Sequence, residues 1–307
     1  MTTPLVSIVL PTYNGARYLA ESIQSCIEQT YPNWELIIVD DCSTDDTPAV
    51  IARFQALDPR IRSIRHENNR KLPGALNTGF AVAKGDYLTW TSDDNAYRPH
   101  AIATMLAHLS AHPEIGVVYC DFTKIDADGM PVLRYVVDDP TELAFQNCVG
   151  PCFLYPRWLA EQVGEYNESL FLAEDYEFWL RASQVAPMLP LHEDLYIYRL
   201  HEGTLTHRQQ ARVRLAVRVA KQAQLPKMDW LPDAARARAL LRLAGDYPLY
   251  PALGAKVHCL SRAWADSPGT VLRVAMQSVM TLFTRGPRRV ARRLSTALKR
   301  PNSLSSS

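Results

Sequence analysis

An α/β fold with a mainly parallel central sheet is predicted by three observations. Short β-branched runs at residues 6–10, 36–39 and 61–65 alternate with segments of helical period. The intervening segments have the length of helices, which implies parallel strands covered on both faces. Two apolar runs end in acidic pairs, Asp40-Asp41 and Asp93-Asp94, and the carboxyl ends of strands are where an open sheet collects ligands.

Residues 6–10 read as the first strand, closed by Pro11. Residues 16–29 space Leu19, Ile23 and Ile27 four apart, one face of a helix. After the second strand, Ser43 or Thr44 offers an N-cap, and Asp45 and Asp46 suit the first turn of a helix reaching about residue 57. A third strand at 61–65, a helix at 74–83, a fourth strand at 87–91, a helix at 99–111 led by Pro99 and a strand at 115–122 complete the alternation. Residues 126–129 read as a hairpin turn, so the order then changes toward a mixed sheet. Residues 154–163 and 175–183 read as helices and 195–200 as a strand. From about residue 209 the chain is helical, rich in Ala and Arg, and punctuated by prolines. A soft boundary near 205 divides a domain of residues 1–205 from a helical C-terminal extension, residues 206–307, whose end at 301–307 is expected to be disordered.

Of the 307 residues, 47% are apolar, enough for a sizeable core, and the net charge of +1 gives no global signal for nucleic acid. The charge is uneven: residues 285–300 hold seven Arg or Lys and no acid, leaving −6 for the remainder. Six cysteines lie scattered without a CxxC pair, so zinc and disulfide scaffolds are not expected and reduced cytosolic thiols are. The N-terminus shows no basic, cleavable leader, and the apolar stretch at 271–283 is too short to span a bilayer.

Four places carry candidate chemistry. Pro11-Thr12-Tyr13-Asn14-Gly15 follows the first strand, where a tyrosine offers a flat face to a nucleobase; an ordinary βα turn explains it equally well. It contains neither GxxxxGK[ST] nor GxGxxG. One of Asp40 and Asp41 can accept hydrogen bonds from a base or ribose, while helix capping accounts for at least one acid in this stretch. Asp93 and Asp94 are hard oxygen ligands suited to Mg²⁺ or Mn²⁺, although such a pair ahead of a Pro-led helix is more often a turn. Glu174-Asp175 opens an amphipathic helix, where the macrodipole favours acids; its chemical role would be a general base on an acceptor hydroxyl. The eight histidines form no HExxH, which argues against a zinc enzyme.

Taken in order, residues 6–15, 34–47, 68–79, 85–95 and 164–181 resemble a family 2-type glycosyltransferase with the GT-A nucleotide-sugar-binding fold. The resemblance covers about residues 4–205. It implies a mixed, mainly parallel sheet flanked by helices, and an inverting transfer of a sugar from a nucleoside-diphosphate donor, assisted by Mg²⁺ or Mn²⁺. Pro11, Thr12, Tyr13 and Asn14 match the nucleotide pocket; Asp40 matches the acid that reads the base, with Asp41 beside it. Asn77 falls near the donor, with Arg70 or Lys71 within reach of its phosphates. Asp93 and Asp94 match the pair serving ribose and metal, Asp175 matches the catalytic base, and His201 falls where relatives carry a His near metal and diphosphate.

Two departures bear on function. Thr91 stands where many relatives carry a further Asp, which keeps a non-catalytic nucleotide-sugar-binding module open as an alternative. No Gln-x-x-Arg-Trp motif follows, which points to addition of a single residue in cell-surface polysaccharide or glycolipid assembly. A sugar nucleotidyltransferase is disfavoured because the first loop lacks a Gly-rich basic signature, and clustered carboxylates make a poor docking scaffold. The expected partners are the donor and a glycan or lipid-linked acceptor. The expected location is the cytoplasm, with peripheral contact at the inner membrane face through the basic segment 287–300.

Overall fold

Burial on both faces explains why the first strands read as near-continuous apolar runs. The computed structural model describes residues 3–203, 209–246 and 253–277. Strand β1 (Val6–Thr12) is buried throughout, and β2 (Trp34–Asp40) at all positions but Glu35. They pair in parallel, with Thr12 opposite Asp40. On one side β2 pairs with β3 (Ile61–Arg65), Asp40 facing Arg65; on the other, β1 pairs with β4 (Tyr87–Trp90), Val9 facing Trp90. Three acid-bearing or hydroxyl-bearing strand ends are thereby aligned along one edge. The crossovers are α1 (Leu19–Ile27), α2 (Thr47–Leu57) and α3 (Lys71–Val82).

Beyond β4 the sheet turns mixed, as expected. The short β5 (Ala96–Tyr97) precedes α4 (Ala101–Ala111), and β6 (Val117–Ile125) forms a hairpin with β7 (Pro131–Tyr135) through the turn expected at 126–129. Strand β8 (Phe153–Pro156) runs antiparallel to both β4 and β6, and β9 (Met188–Arg199) parallel to β6. The path is β3-β2-β1-β4-β8-β6-β9-β5, with β7 beside β6. The helix expected over 154–163 is a strand followed by the short α5 (Arg157–Val163). Phe153–Pro156 is buried at every residue, and a four-residue apolar run has no period to distinguish strand from helix. The strand expected at 195–200 begins earlier, at Met188, because Met188–Leu191 pairs with Val117–Cys120.

Helix α6 (Glu174–Ala182) is fixed by an aromatic cluster. Phe178 stacks on Tyr166 with ring centroids 4.5 Å apart, and Trp179 meets Phe153 edge-on at 4.6 Å. Such pairs add directional preference to burial, so the first turn of α6 is held beside β4 and β8. Helix α7 (Gln210–Gln224) belongs with this first compact unit, Met1–Leu231, passing the soft boundary expected near 205. Gln224 Nε2 donates to Glu177 Oε1 at 3.1 Å, and Lys221 Nζ to the Phe145 carbonyl at 2.6 Å. The second unit, Pro232–Ser307, contains α8 (Asp233–Asp246) and α9 (Leu253–Asp266). Segments 287–300 and 301–307, singled out as membrane contact and disordered end, lie outside the described residues. No described helix is long and apolar enough to cross a membrane.

Candidate active site

The loop after β1 is stitched to the loop after β2. Asn14 N–H donates to Ser43 Oγ at 2.9 Å, Thr44 N–H donates to Asn14 Oδ1 at 2.8 Å, and Gly15 N–H donates to Thr47 Oγ1 at 3.0 Å. Ser43 and Thr44 are therefore not caps of α2; the residue flanking its start is Asp46, and Asp45 Oδ1 accepts Thr47 N–H at 3.0 Å. The same loop reaches β4: Thr12 Oγ1 donates to Asp93 Oδ2 at 2.6 Å. A Cβ on Gly15 would fall 2.0 Å from that carboxylate oxygen, so only glycine lets the loop pass. Pro11 is buried inside β1, while the Tyr13 ring is 52% exposed at the loop's surface.

Asp40 and Asp41, both buried, separate into two roles. Asp41 Oδ1 accepts Arg70 N–H at 2.7 Å and lies 2.7 Å from His66 Nδ1, whose Nε2 is 3.0 Å from Thr78 Oγ1. It is committed to the chain that shapes the start of α3. Asp40 Oδ1 accepts Ser43 N–H at 2.9 Å. Its Oδ2 has an ion-pair neighbour, Arg65 Nη1 at 3.1 Å, but no hydrogen-bond partner. A buried carboxylate oxygen left without a donor is costly unless something supplies one.

Asp93 and Asp94 follow β4. Burial, and then the charge of Asp94, push Asp93 up to about 7 despite the Thr12 hydroxyl. Asp94 Oδ2 lies 2.9 Å from His201 Nε2; Gly203 N–H donates to His201 Nδ1 at 3.1 Å, which leaves the ring proton on Nε2. Arg199 fixes the surrounding backbone, its N–H donating to Asn95 Oδ1 at 2.9 Å and its Nε to the Asp94 carbonyl at 3.2 Å. Thr91 is fully buried, with Oγ1 2.6 Å from the Tyr196 hydroxyl.

Asp175, half-buried in the first turn of α6, receives Tyr176 N–H on Oδ1 at 2.6 Å and Asn147 Nδ2 on Oδ2 at 2.8 Å. Burial pushes its carboxyl upward, and those two donors oppose the shift. Neighbouring Glu174 is more deeply buried and pushed up to about 8 by burial and by the charge of Asp175. Tyr198 lies on β9. Burial, then the charges of Asp94 and Asp175, push its hydroxyl up to about 12, so both carboxylates act on one phenol. Asn77 sits under this region: Nδ2 donates to the Tyr166 carbonyl and Oδ1 accepts Tyr166 N–H, both at 2.9 Å. Its amide holds the segment leading to Asp175.

Among the described residues, four non-glycine residues take left-handed backbone, Asn14, Cys42, Lys71 and Leu172. Asn14, Cys42 and Leu172 lie in loops beside these side chains and Lys71 opens α3, and strained backbone tends to gather around a site. Arg65, His66, Asn147, Tyr198 and Arg199 are not singled out by the sequence, and Ser43 only as a cap. A separate hollow, bounded by Asp86, Tyr87, Leu109, Pro113, Pro156 and Trp158, lies at the opposite end of β4.

The profile of "Glycosyl transferase family 2" matches residues 7–164, just over half the chain and every strand end described above except β9. The chain belongs to this family. An uncharacterized glycosyltransferase of Rickettsia prowazekii is 32% identical over 216 residues, 67% of this chain and 67% of that protein. TuaG of Bacillus subtilis, named for teichuronic acid biosynthesis, is 29% identical over 133 residues, 43% of this chain and 52% of its own length. The chain spans from 23% to 72% of the length of such curated relatives. Among solved structures, TarS of S. aureus in complex with UDP-GlcNAc aligns with a TM-score of 0.64 at 18% identity, over 85% of this chain and 81% of that one. A mannosyltransferase from Pyrobaculum calidifontis, in complex with GDP-Man and Mn²⁺, aligns with a TM-score of 0.55 at 18% identity, over 92% and 81%. The family's fold is therefore the GT-A type, with the helices of the C-terminal part added to it.

Proposed function

We propose that the chain is an inverting, metal-dependent glycosyltransferase that moves one sugar from a nucleoside-diphosphate donor to an acceptor hydroxyl. The observation that carries this reading is the cluster at the strand ends, where Thr12, opposite Asp40, donates to Asp93 beside Asp94; Asp175, in the first turn of α6, is the carboxylate suited to proton removal. Tyr13 offers its ring to the base, and Asp40 Oδ2, held only by its ion pair with Arg65, accepts a base or ribose donor. Thr12 and Asn14 set the loop, Asp41 shapes α3 beside it, and Asn77 holds the approach to Asp175.

Among the described residues, no three His, Cys, Asp or Glu side chains gather closely enough to hold a metal by themselves. Asp93 and Asp94 nonetheless fit a hard divalent ion, because burial and the charge of Asp94 disfavour the ionised form of Asp93, which a cation would restore. Mg²⁺ and Mn²⁺ commonly complete such partial sets with substrate phosphates and water. His201 would join them through Nε2 only if its ring proton moved to Nδ1, which gives up the bond from Gly203 N–H. When bound, the ion supplies Lewis-acid neutralisation of the departing diphosphate.

Asp175 takes the proton from the acceptor hydroxyl as that oxygen attacks the anomeric carbon. The bond from that carbon to the diphosphate oxygen breaks on the opposite face, its electron pair leaving with the nucleoside diphosphate, and the configuration inverts. Holding both substrates in line contributes through proximity. TuaG's name supports cell-surface polysaccharide assembly as the setting. A glycan or lipid-linked acceptor, and peripheral contact of 287–300 with the inner membrane face, belong to the same reading.

A thermal-shift screen of uridine, guanosine and thymidine diphosphates with Mn²⁺ tests donor binding, since a ligand of the folded state raises the melting temperature. One nucleotide is expected to stabilise wild type and Asp175→Asn alike, while sugar transfer by the variant falls by about 10²- to 10⁴-fold. Transfer by Asp175→Asn at the wild-type rate overturns the base assignment.

A further inference from the structure

Charge is divided unevenly between the two compact units. Pro232–Ser307 carries thirteen Lys or Arg and three Asp, a net +10, which leaves −9 on the first unit. Within the second unit, α8 and α9 pack through buried Leu240, Leu243, Cys259 and Ala263. The Arg236 guanidinium, its Nε 3.0 Å from Asp266 Oδ2, ties the end of α9 to α8. Asp266 is the only acid on α9, and that pairing occupies it.

A second face of α9 is apolar and exposed. Val257 (55%), Leu260 (41%) and Trp264 (50%) follow at i, i+3 and i+7, a single stripe separate from the buried Cys259 and Ala263. The next helical stretch, residues 268–277, exposes Leu272 and Met276. The other charged side chains over residues 253–277 are Lys256, Arg262 and Arg273, and residues 285–300 add seven more cations without an acid.

We propose that the Val257-Leu260-Trp264 stripe of α9 is a docking surface for an anionic phospholipid bilayer. A helix with an apolar stripe, a tryptophan and flanking cations lies in the interface plane, its apolar face among the acyl chains and its cations at the headgroups. Trp264 suits that depth, having an apolar body and one polar N–H. The net +10 of the unit favours a negative surface, and the stripe supplies what charge alone lacks, a term insensitive to salt. The inference deepens the membrane contact assigned to 287–300 and fails separately from it, because the two rest on different residues.

The test is flotation of the full chain with vesicles of phosphatidylcholine alone or mixed with phosphatidylglycerol. Wild type is expected to float with the mixed vesicles. Leu260→Gln/Trp264→Gln is expected to reduce the bound fraction at least roughly tenfold, with unchanged melting temperature. Brominated lipid is expected to quench part of the tryptophan emission, and Trp264→Phe to remove that part. A parallel variant, Arg288→Gln/Arg289→Gln/Arg292→Gln/Arg293→Gln, separates the two readings. If it alone abolishes flotation and the stripe variant floats as wild type, the stripe proposal is overturned while the tail reading stands. A stripe variant that changes only the sedimentation coefficient assigns the stripe to a second copy of the chain and also overturns it.

Discussion

The side-chain amide of Asn147 donates to Asp175 Oδ2 at 2.8 Å, from a loop 28 residues earlier in the chain. Val149 N–H donates to Asn147 Oδ1 at 3.3 Å, which orients the amide so that its NH₂ group faces the carboxylate. A donor aimed at a carboxylate favours the ionised form, the form a base needs, whereas burial disfavours it. Asn147 thus acts on the acceptor proton through Asp175.

Asn147→Ala is expected to raise the Asp175 pKa further, because the one side-chain donor that opposes the shift is lost. The acid limb of the kcat/KM profile then moves to higher pH, with a loss on the acid side that shrinks as pH rises, and donor-induced stabilisation is unchanged. A loss equal at all pH values would show that Asn147 only shapes its loop.

How much of this was legible in sequence depends on whether a residue acts through its own segment. The acids at and beyond the ends of β2 and β4 follow from local pattern, because those two strands bury nearly every residue and charge begins where they stop. β8 was read as helix because four buried residues have no period. Ser43 looked like a cap and instead accepts Asn14 N–H. Asn147, His66 and Tyr198 carry no local mark at all, since their partners lie 28, 25 and more than twenty residues away. The left-handed backbone at Leu172 is equally hidden, because leucine rarely adopts it.

Gly15→Ala is expected to damage the donor loop. The added methyl would meet Asp93 Oδ2 at 2.0 Å and Thr12 Oγ1 at 2.6 Å, so the Thr12–Asp93 hydrogen bond must break or the loop must move. Overpacking of this kind costs about 1–3 kcal/mol. Chemical denaturation should show that loss, and the melting-temperature rise with nucleoside diphosphate and Mn²⁺ should disappear. Retention of both would mean that the loop has room to move.

Thr91 has a structural reason to differ from the acid many relatives carry. Its hydroxyl is fully buried against Tyr196, where a charge would be desolvated. Thr91→Val, which leaves the phenol without that partner, is expected to cost about 1–3 kcal/mol and to leave transfer near wild type. Thr91→Asp should destabilise the protein more, without tightening Mn²⁺ binding in a metal titration. Tighter binding would show that position 91 belongs to the metal site, and would revive Thr91 as a loss of function.

Glu174 makes stability depend on pH in a direction opposite to an ordinary ion-paired acid. Its folded-state value rises from 4.5 to about 8, first by burial and then by the charge of Asp175, while Leu172 N–H on Oε2 opposes the rise. The fold therefore prefers the protonated form. The stability this contributes is complete below the unfolded value and is lost as pH climbs through the window to about 8. Glu174→Gln keeps the acceptor for Leu172 and removes the titration. Its melting temperature should match wild type near pH 5 and exceed it near pH 8.5, the difference growing through that interval. Asp175→Asn should show part of the same gain, since it deletes the second cause of the shift. Parallel melting curves for wild type and Glu174→Gln would mean that Glu174 stays ionised in the fold, and that Asp175 works beside a second negative charge.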